Sequence, residues 1–408
     1  MFFIEYAYLH IFSLLIGDFY QYRIPLAVMM ALLYIITIFF FATYTGLILY
    51  YRQSWLSIPQ IKNNRSGLHQ TAISIIIPAR NEEKNIKACL HSILKQDYPL
   101  HLFEIIIVDD HSTDNTAAII QAFDAGNIKL LSLKDFTDGN RLNSYKKRAI
   151  EIAIGQAAGS LIVTTDADCI VQTNWLQTIA DFYEQYKPAF IAGPVSYYNE
   201  NSFLKIFESL DFMTMQGITG ASVYKKFHTM CNGANLAYEK SVFYEVNGFK
   251  GIDTIASGDD MLLMHKIYSL YPDRVCYLKS KDAIVQTLPA GTFPAFINQR
   301  IRWASKADKY DDKRIFFVLL LVYFFNVWML VLFIIGFWVR DSWALLIDAF
   351  IFKTIVELFF LFPVSAFFSR KKLLWWFPIA QPFHILYIII AGWLGKFGTY
   401  KWKGRQVH

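Results

Sequence analysis

The sequence predicts an α/β protein, an open and mostly parallel sheet with helices on both faces, flanked by transmembrane helices. Three observations predict it. Strand-like and helix-like segments alternate from residue 73 to residue 165, the pattern of parallel strands joined by crossover helices. Long uncharged apolar runs lie on either side of that region. Polar clusters close successive strands, where open sheets of this kind bind ligands.

Ile24 to Tyr51 carries no charge between Arg23 and Arg52, enough helix to cross a hydrocarbon core of ~30 Å with some tilt. The run is too long for a signal peptide, the segment before it is not basic, and no small-residue cleavage site follows. Residues 1–52 are therefore read as a membrane anchor, spanning at about 26–51, and 53–70 as a linker. Within 71–289, Ile73 to Ile77 reads as a buried strand stopped by Pro78. A helix follows with Ile86, Leu90, Ile93 and Leu94 on one face. Strands then follow at Glu104–Val108, Ile128–Leu133 and Leu161–Thr165, and helices at Thr116–Phe123 and Lys146–Ala157. Residues 290–314 read as an interfacial helix and 315–395 as a C-terminal membrane region, with spans at about 315–339 and 343–368. In the second of these Lys353 and Glu357 stand four apart, able to pair on one helix face or to line an ion or substrate path. The block 373–395 holds Pro378 and Pro382 and reads as a kinked span or an interfacial hairpin. A basic tail, 396–408, closes the chain. No internal repeat or low-complexity tract is visible.

Of 408 residues, 55% are hydrophobic and 17% aromatic, too apolar for a wholly soluble protein. The formal charge of +6 is concentrated at the membrane edges. Arg52, Lys62 and Arg65 follow the first span; Lys306, Lys309, Lys313 and Arg314 precede the second; Arg370, Lys371 and Lys372 follow the third. The positive-inside tendency puts these clusters, and residues 52–314, in the cytoplasm, as in a multi-pass protein of a bacterial inner membrane. The basic tail (Lys396, Lys401, Lys403, Arg405) opposes a fourth span, so the topology of 373–395 stays open. Charges that flank apolar segments do not form a nucleic-acid face. Cys89, Cys169, Cys231 and Cys276 lack Cys-x-x-Cys spacing and read as reduced thiols, not a zinc site.

The chemistry starts at Leu161-Ile162-Val163-Thr164-Thr165, which ends in Asp166-Ala167-Asp168. On an extended strand the two carboxylates point the same way, roughly 6–7 Å apart. Such a pair stays ionised most easily beside a cation, which makes it a candidate site for a hard divalent ion and the phosphates that ion neutralises. A plain turn is the other reading. Two more polar clusters, Pro78-Ala79-Arg80-Asn81-Glu82 and Asp109-Asp110-His111-Ser112-Thr113-Asp114, would converge on the same rim, which turn formation alone does not require. No Gly-x-Gly-x-x-Gly or Gly-Lys-Ser/Thr loop is present, against a dinucleotide or P-loop site. Lys146 and Lys147 can reach a diphosphate or simply open a helix. Ser257-Gly258-Asp259-Asp260 before Met261-Leu262-Leu263 reads as a helix N-terminus. Gln299-Arg300-Ile301-Arg302-Trp303 reads as a helical stretch with Gln299 and Arg302 on one face, or as an interfacial helix with snorkelling arginines.

With SIIIPARNEE, IIIVDDHSTDNT, TTDADC, CNGAN, SGDDMLL and QRIRW in that order, about residues 71–310 resemble membrane-bound family-2 glycosyltransferases. That group includes cellulose, hyaluronan and poly-N-acetylglucosamine synthases and ceramide glucosyltransferases. The resemblance implies a GT-A-type fold and a UDP-sugar donor. It puts Pro78, Ala79, Arg80, Glu82 and Asp110 around the nucleotide, Lys146 and Asp166 toward the ribose and diphosphate, and Mg²⁺ or Mn²⁺ on Asp168. It makes Asp260 the general base, with Asp259 in place of the commoner glutamate. Gln299, Arg300, Arg302 and Trp303 go to the diphosphate and acceptor, and Asn232, Gly233 and Asn235 to an acceptor-side loop. The chain departs from the family in having Ser144-Tyr145-Lys146 where a glycine-lysine is usual, and in having few spans for a polymer channel.

The expected reaction is an inverting, single-displacement transfer to a hydroxyl of a lipid or lipid-linked saccharide. A processive polysaccharide synthase, exporting through an oligomer or a partner protein, is the alternative. A non-catalytic UDP-sugar-binding scaffold is the third possibility, and predicts loss of an acidic motif that this chain retains.

Overall fold

The computed structural model describes residues 26–61, 70–137, 143–255, 258–305, 312–397, 400–402 and 405–407. Arg23, Lys62, Arg65, Ser257, Lys306, Lys309 and Lys403, which belong to the membrane-edge clusters and the acidic motif named above, lie outside the described residues.

The first described element is a 32-residue helix, α1 (Leu26–Ser57). There follow β1 (Ile73–Ala79), α2 (Ile86–Leu94), β2 (Phe103–Asp109), α3 (Thr116–Gln121), β3 (Ile128–Ser132), α4 (Tyr145–Gln156) and β4 (Leu161–Thr164). Each lies within about two residues of its predicted place. The reason is local, because isoleucine-rich runs buried on both faces can only be inner strands of a parallel sheet. β1 pairs in parallel with β2 (Ile75 opposite Ile105) and with β4 (Ile75 opposite Val163).

Beyond β4 come α5 (Trp175–Tyr186), β5 (Phe190–Ala192), β6 (Val195–Tyr197), α6 (Phe203–Tyr224), β7 (Leu236–Glu239), α7 (Lys240–Glu245), α8 (Met261–Leu270), β8 (Val275–Tyr277) and β9 (Val285–Thr287). The seven-stranded sheet runs β3-β2-β1-β4-β7-β5-β8, with β7 antiparallel to both neighbours. The strand order reverses at β1 and β4, the switch point at which such sheets open a crevice beyond their carboxyl ends. A small sheet of β6 and β9 lies beside it.

α9 (Phe293–Ala304) is followed by α10 (Lys313–Ile335), α11 (Asp341–Phe367) and α12 (Phe377–Phe397), and β10 (Tyr400–Trp402) pairs antiparallel with β11 (Arg405–Val407). Among the described residues, three helical stretches are long and apolar enough to cross a membrane: Leu26–Ser57, Lys313–Ile335 and Lys371–Gly395. The block whose topology the sequence left open thus qualifies as a span. The expected span 343–368 forms the single helix α11, which is not among the three and packs against α1 and α10. Its Lys353 and Glu357 pair at 2.7 Å, and Tyr44 and Gln381 also hydrogen-bond Glu357.

α6 joins the two regions. Gly217 admits Phe360 and Val364 of α11, and Gly220 admits Trp55 of α1 and Tyr277, because a Cβ at either position would come within 3 Å of those side chains.

Candidate active site

The loops after β1 and β2 are stitched together. Asn81 and His111 take left-handed backbone conformations (φ 52° and 56°), which tight turns require. The Asp110 amide donates to the Ala79 carbonyl at 2.8 Å, and the Arg80 guanidinium donates to the Asp110 carbonyl at 2.7 Å. Arg80 also lies 3.7 Å from the Asp110 carboxylate, which is buried and bonded to His111 Nδ1 at 3.0 Å. Asp114 ties the ends by accepting from the Glu83 amide and the Thr116 amide. Burial opposes ionisation of Asp114, and these hydrogen bonds overcome it, holding the carboxyl below its usual value.

β4 stops at Thr164, two residues before the first aspartate. The Cys169 amide donates to the Asp166 carbonyl at 3.1 Å, closing a turn. The turn buries Ala167 and leaves Asp166 and Asp168 half-buried, both lining one cavity. Asp168 accepts from the Thr287 hydroxyl on β9 at 3.2 Å. Lys146, at the start of α4, lies 2.8 Å from Asp166 and 3.1 Å from Asp259. Burial alone would lower its pKa, but the two carboxylates outweigh burial and raise it. Lys147 points elsewhere: buried, it donates at 2.6 Å to the Ile252 and Ile255 carbonyls and holds the loop before the acidic pair.

Asp260 caps α8. One carboxylate oxygen accepts from the Met261 amide at 2.7 Å and the other from the Gly233 amide at 3.0 Å. The Asn232 side chain accepts from the Ala234 amide at 3.0 Å and shapes the loop that carries Gly233. A Cβ on Gly233 would meet the Lys146 ammonium at 3.3 Å, so glycine lets this backbone approach the charged cluster.

On α9 the guanidinium of Arg300 stacks on Phe296 and Trp303, 4.8 and 4.3 Å from their ring centroids, and pairs with Asp211 of α6 at 2.6 Å. Burial would raise the Asp211 pKa, but Arg300 and His384 bring it below the usual value. Trp303 also packs near Phe212, with ring centroids 6.3 Å apart. Burial pushes the Tyr197 phenol up to about 12, while Arg300 and a hydrogen bond with Gln299 pull it the other way. Arg302 makes no ion pair among the described residues.

A single cavity of about 1060 Å³ collects these groups. Every residue that the family resemblance puts in the site lines it except Asn235, and Lys147, the other lysine offered to the diphosphate, does not line it. Asn235 is buried, accepts from the Trp175 indole at 3.0 Å and donates to the Pro194 and Ala283 carbonyls at 2.9 and 2.8 Å. Both amide hydrogens and one lone pair of its carbonyl are thus committed to neighbouring groups, which holds the start of β7 in place. Arg300 lines the cavity, but its charge is committed to Asp211. From the acidic pair the cavity continues between the membrane helices, past Tyr44, Leu319, Phe360, Gln381, His384 and Ile388. Sequence reasoning missed Thr287, Asp211 and these helix residues; the Lys353/Glu357 spacing was the one signal that polar groups meet inside the bundle.

The donor set suits a hard cation of the Mg²⁺ or Mn²⁺ kind. Asp168 presents carboxylate oxygen at a turn, and among the described residues no group of three or more His, Cys, Asp or Glu could hold a metal by itself. An ion here would take its remaining ligands from diphosphate and water, as Mg²⁺ commonly does.

The fold is that of a GT-A-type transferase, and comparison with known proteins gives the family. The chain belongs to glycosyl transferase family group 2, whose model matches residues 161–394, with the glycosyl transferase family 2 model matching residues 74–246. It is 34% identical over 107 residues to glycosyltransferase AglE of Haloferax volcanii, covering 26% of this chain and 33% of that protein. It is 29% identical over 161 residues to the 4,4'-diaponeurosporenoate glycosyltransferase of Staphylococcus aureus, covering 39% of this chain and 41% of that one. The chain thus spans well under two thirds of these curated relatives. The mannosyltransferase PcManGT of Pyrobaculum calidifontis, solved with GDP-Man and Mn²⁺, aligns with a TM-score of 0.55 at 19% identity, over 89% of this chain and 98% of that one. That likeness is one of fold.

Proposed function

We propose that this chain is an inverting glycosyltransferase that moves a sugar from a UDP-sugar to a hydroxyl of a membrane-associated acceptor, a lipid or lipid-linked saccharide. One observation carries the reading: the cavity that holds Asp110, Asp166, Asp168 and Asp260 is continuous with the space between the membrane helices. A donor entering from the sheet side and an acceptor entering from the bilayer side would meet at Asp260.

In this reading Asp110, Arg80 and Ala79 hold the nucleoside, and Lys146 turns from Asp166 and Asp259 toward the diphosphate. Asp168 would hold Mg²⁺ or Mn²⁺, which when bound stabilises negative charge on the departing diphosphate. The acceptor oxygen attacks the anomeric carbon as the bond to the diphosphate breaks, and Asp260 takes the acceptor's proton. Asp260 is suited to this because two backbone amides fix both oxygens while each keeps a second lone pair. Asp259 keeps negative charge beside it. Arg302 adds a planar cation for the leaving diphosphate, and Trp303 a flat wall. The enzyme supplies no nucleophile, so configuration inverts.

The test is incubation of the purified protein with a panel of UDP- and GDP-sugars, a lipid extract and Mn²⁺ or Mg²⁺, with mass spectrometry of the products. One sugar added to a lipid is the expected result. A polydisperse polymer would replace it with the processive synthase, and no product with any donor would leave only a binding scaffold.

A further inference from the structure

A second cavity, of about 470 Å³, lies apart from the first, where the ends of α1 and α11 meet the turn after β8. Its wall has two halves. Trp55, Phe362, Pro363 and Phe367 make one half apolar, and Lys279 and Lys281 make the other cationic. Lys279 is only 4% exposed. Its ammonium donates to the Trp55 carbonyl at 2.5 Å and lies 4.3 Å from the Trp55 ring centroid. Burial pushes it down to about 8, with no carboxylate acting against that. An ammonium has three donors, and a buried one without an anion is costly.

The cavity sits at a definite depth. The uncharged run of α1 ends at Tyr51, and Trp55 comes one turn after Tyr51, past the first charge, Arg52. Arg52 stacks on Phe359 at 3.7 Å, and α11 ends just before Arg370, Lys371 and Lys372, with Lys371 over Phe362 at 4.8 Å. An indole and a ring of basic residues at the ends of membrane helices mark the headgroup layer of a bilayer. The occupant at that depth needs negative charge for the lysines and hydrocarbon for the aromatic half.

We infer that this cavity binds the phosphate-bearing headgroup of an anionic bilayer phospholipid, with Lys279 and Lys281 on the phosphate and Trp55, Phe362 and Phe367 against the first carbons of its chains. The lipid is a structural ligand, separate from donor and acceptor, so this inference does not rest on the proposed reaction. It closes a seam between membrane and sheet, because the Lys279 carbonyl accepts from the Ile61 amide at 3.2 Å, just after α1. The same segment runs on through Ala283, which holds Asn235, to Thr287, which bonds Asp168.

The test uses the full chain in a neutral detergent, with native mass spectrometry of lipid retained from phosphatidylglycerol or phosphatidylcholine. The wild type should retain phosphatidylglycerol in preference. Lys281→Gln, on an exposed residue whose loss does not threaten the fold, should weaken that binding about fivefold, the usual effect of one lysine near an anionic lipid. Lys279→Gln, accepted only if its circular dichroism matches the wild type, should weaken it at least as much. Equal retention of the two lipids, or unchanged affinity in Lys281→Gln, overturns the site. Inorganic phosphate at millimolar concentration is the second arm. If it displaces the lipid completely and binds as tightly by itself, the site is one for a free anion, and the lipid assignment falls.

Discussion

Asp260→Asn is the most discriminating change at the proposed base, because it keeps shape while removing the capacity to take a proton. The wild-type carboxylate accepts from the Met261 amide at 2.7 Å and the Gly233 amide at 3.0 Å. An asparagine has one carbonyl oxygen, so it can keep one of these bonds. The other amide then faces an NH₂ group, a loss of about 1.5–3 kcal/mol for one bond to a charged acceptor. The surviving bond still caps α8 or holds the Gly233 loop, so the protein should fold. Transfer, by contrast, should fall about 10²–10⁴-fold, the usual value of a positioned base. The assay is initial rate at saturating donor and acceptor, run beside a thermal melt and a titration with UDP. The expected pattern is a modest loss of stability, UDP binding within a few-fold of wild type, and a collapse in kcat. A kcat within threefold of wild type would refute Asp260 as the base, and a collapse of UDP binding would make its role structural.

Asp168→Ala should abolish transfer and weaken binding of UDP in the presence of Mn²⁺ more than in its absence, as read by calorimetry; equal effects would remove the metal role. Asp211→Asn leaves the Arg300 guanidinium buried without its counter-charge, and should cost about 3–5 kcal/mol, more than Asp211→Asn combined with Arg300→Met, as read by chemical denaturation. His228, between α6 and β7, is buried beside the Tyr51 and Ser222 hydroxyls, and burial lowers its pKa from 6.5 to about 4. Below pH 6.5 the unfolded chain therefore takes up a proton that the folded chain refuses until about pH 4. Stability should fall across that window by roughly 3 kcal/mol at most, and His228→Gln should flatten the slope.

The part of the fold legible in the sequence is the part whose signals are local. β1 to β4 and their helices declare themselves through runs of isoleucine, valine and leucine, and the strand runs stop at proline, aspartate, serine or threonine. β5 and β8 do not, being three residues long, too short to show a period, and β7, Leu-Ala-Tyr-Glu, carries no run of branched apolar residues. The antiparallel place of β7 between β4 and β5 depends on pairing partners distant in sequence. The site divides the same way. Residue types at strand tips and helix starts pointed to the lining of the cavity, since those positions project from backbone whose path is known. Lys147 and Asn235 were misplaced because what they bond, the Ile252, Ile255, Pro194 and Ala283 carbonyls, comes from loops with no sequence signature.

α6 explains why the cavity is shared between sheet and membrane. Its 22 residues are buried along most of their length by both regions. One hydrophobic core accordingly runs from Ile76 and Ile106 of the sheet through Phe207 and Leu210 of α6 to Tyr51 of α1, Phe325 of α10 and Phe360 of α11. A sheet tethered by a flexible linker would let the distance between Asp260 and the bilayer vary. A continuous packed core does not, because interiors at crystal-like density transmit displacement instead of absorbing it. The glycines at 217 and 220 set the spacing at which this holds. Asp211, about two turns before them on the same helix, reaches Arg300, so the helix that fixes the membrane contact also fixes α9 and its Trp303. The predicted catalytic segment 71–289, cut from its helices, would expose the apolar face of α6 and release that ion pair. It should therefore aggregate, where the full chain in detergent stays monodisperse by size-exclusion chromatography. A monodisperse 71–289 fragment that bound UDP with wild-type affinity would show that the two regions do not depend on a common core.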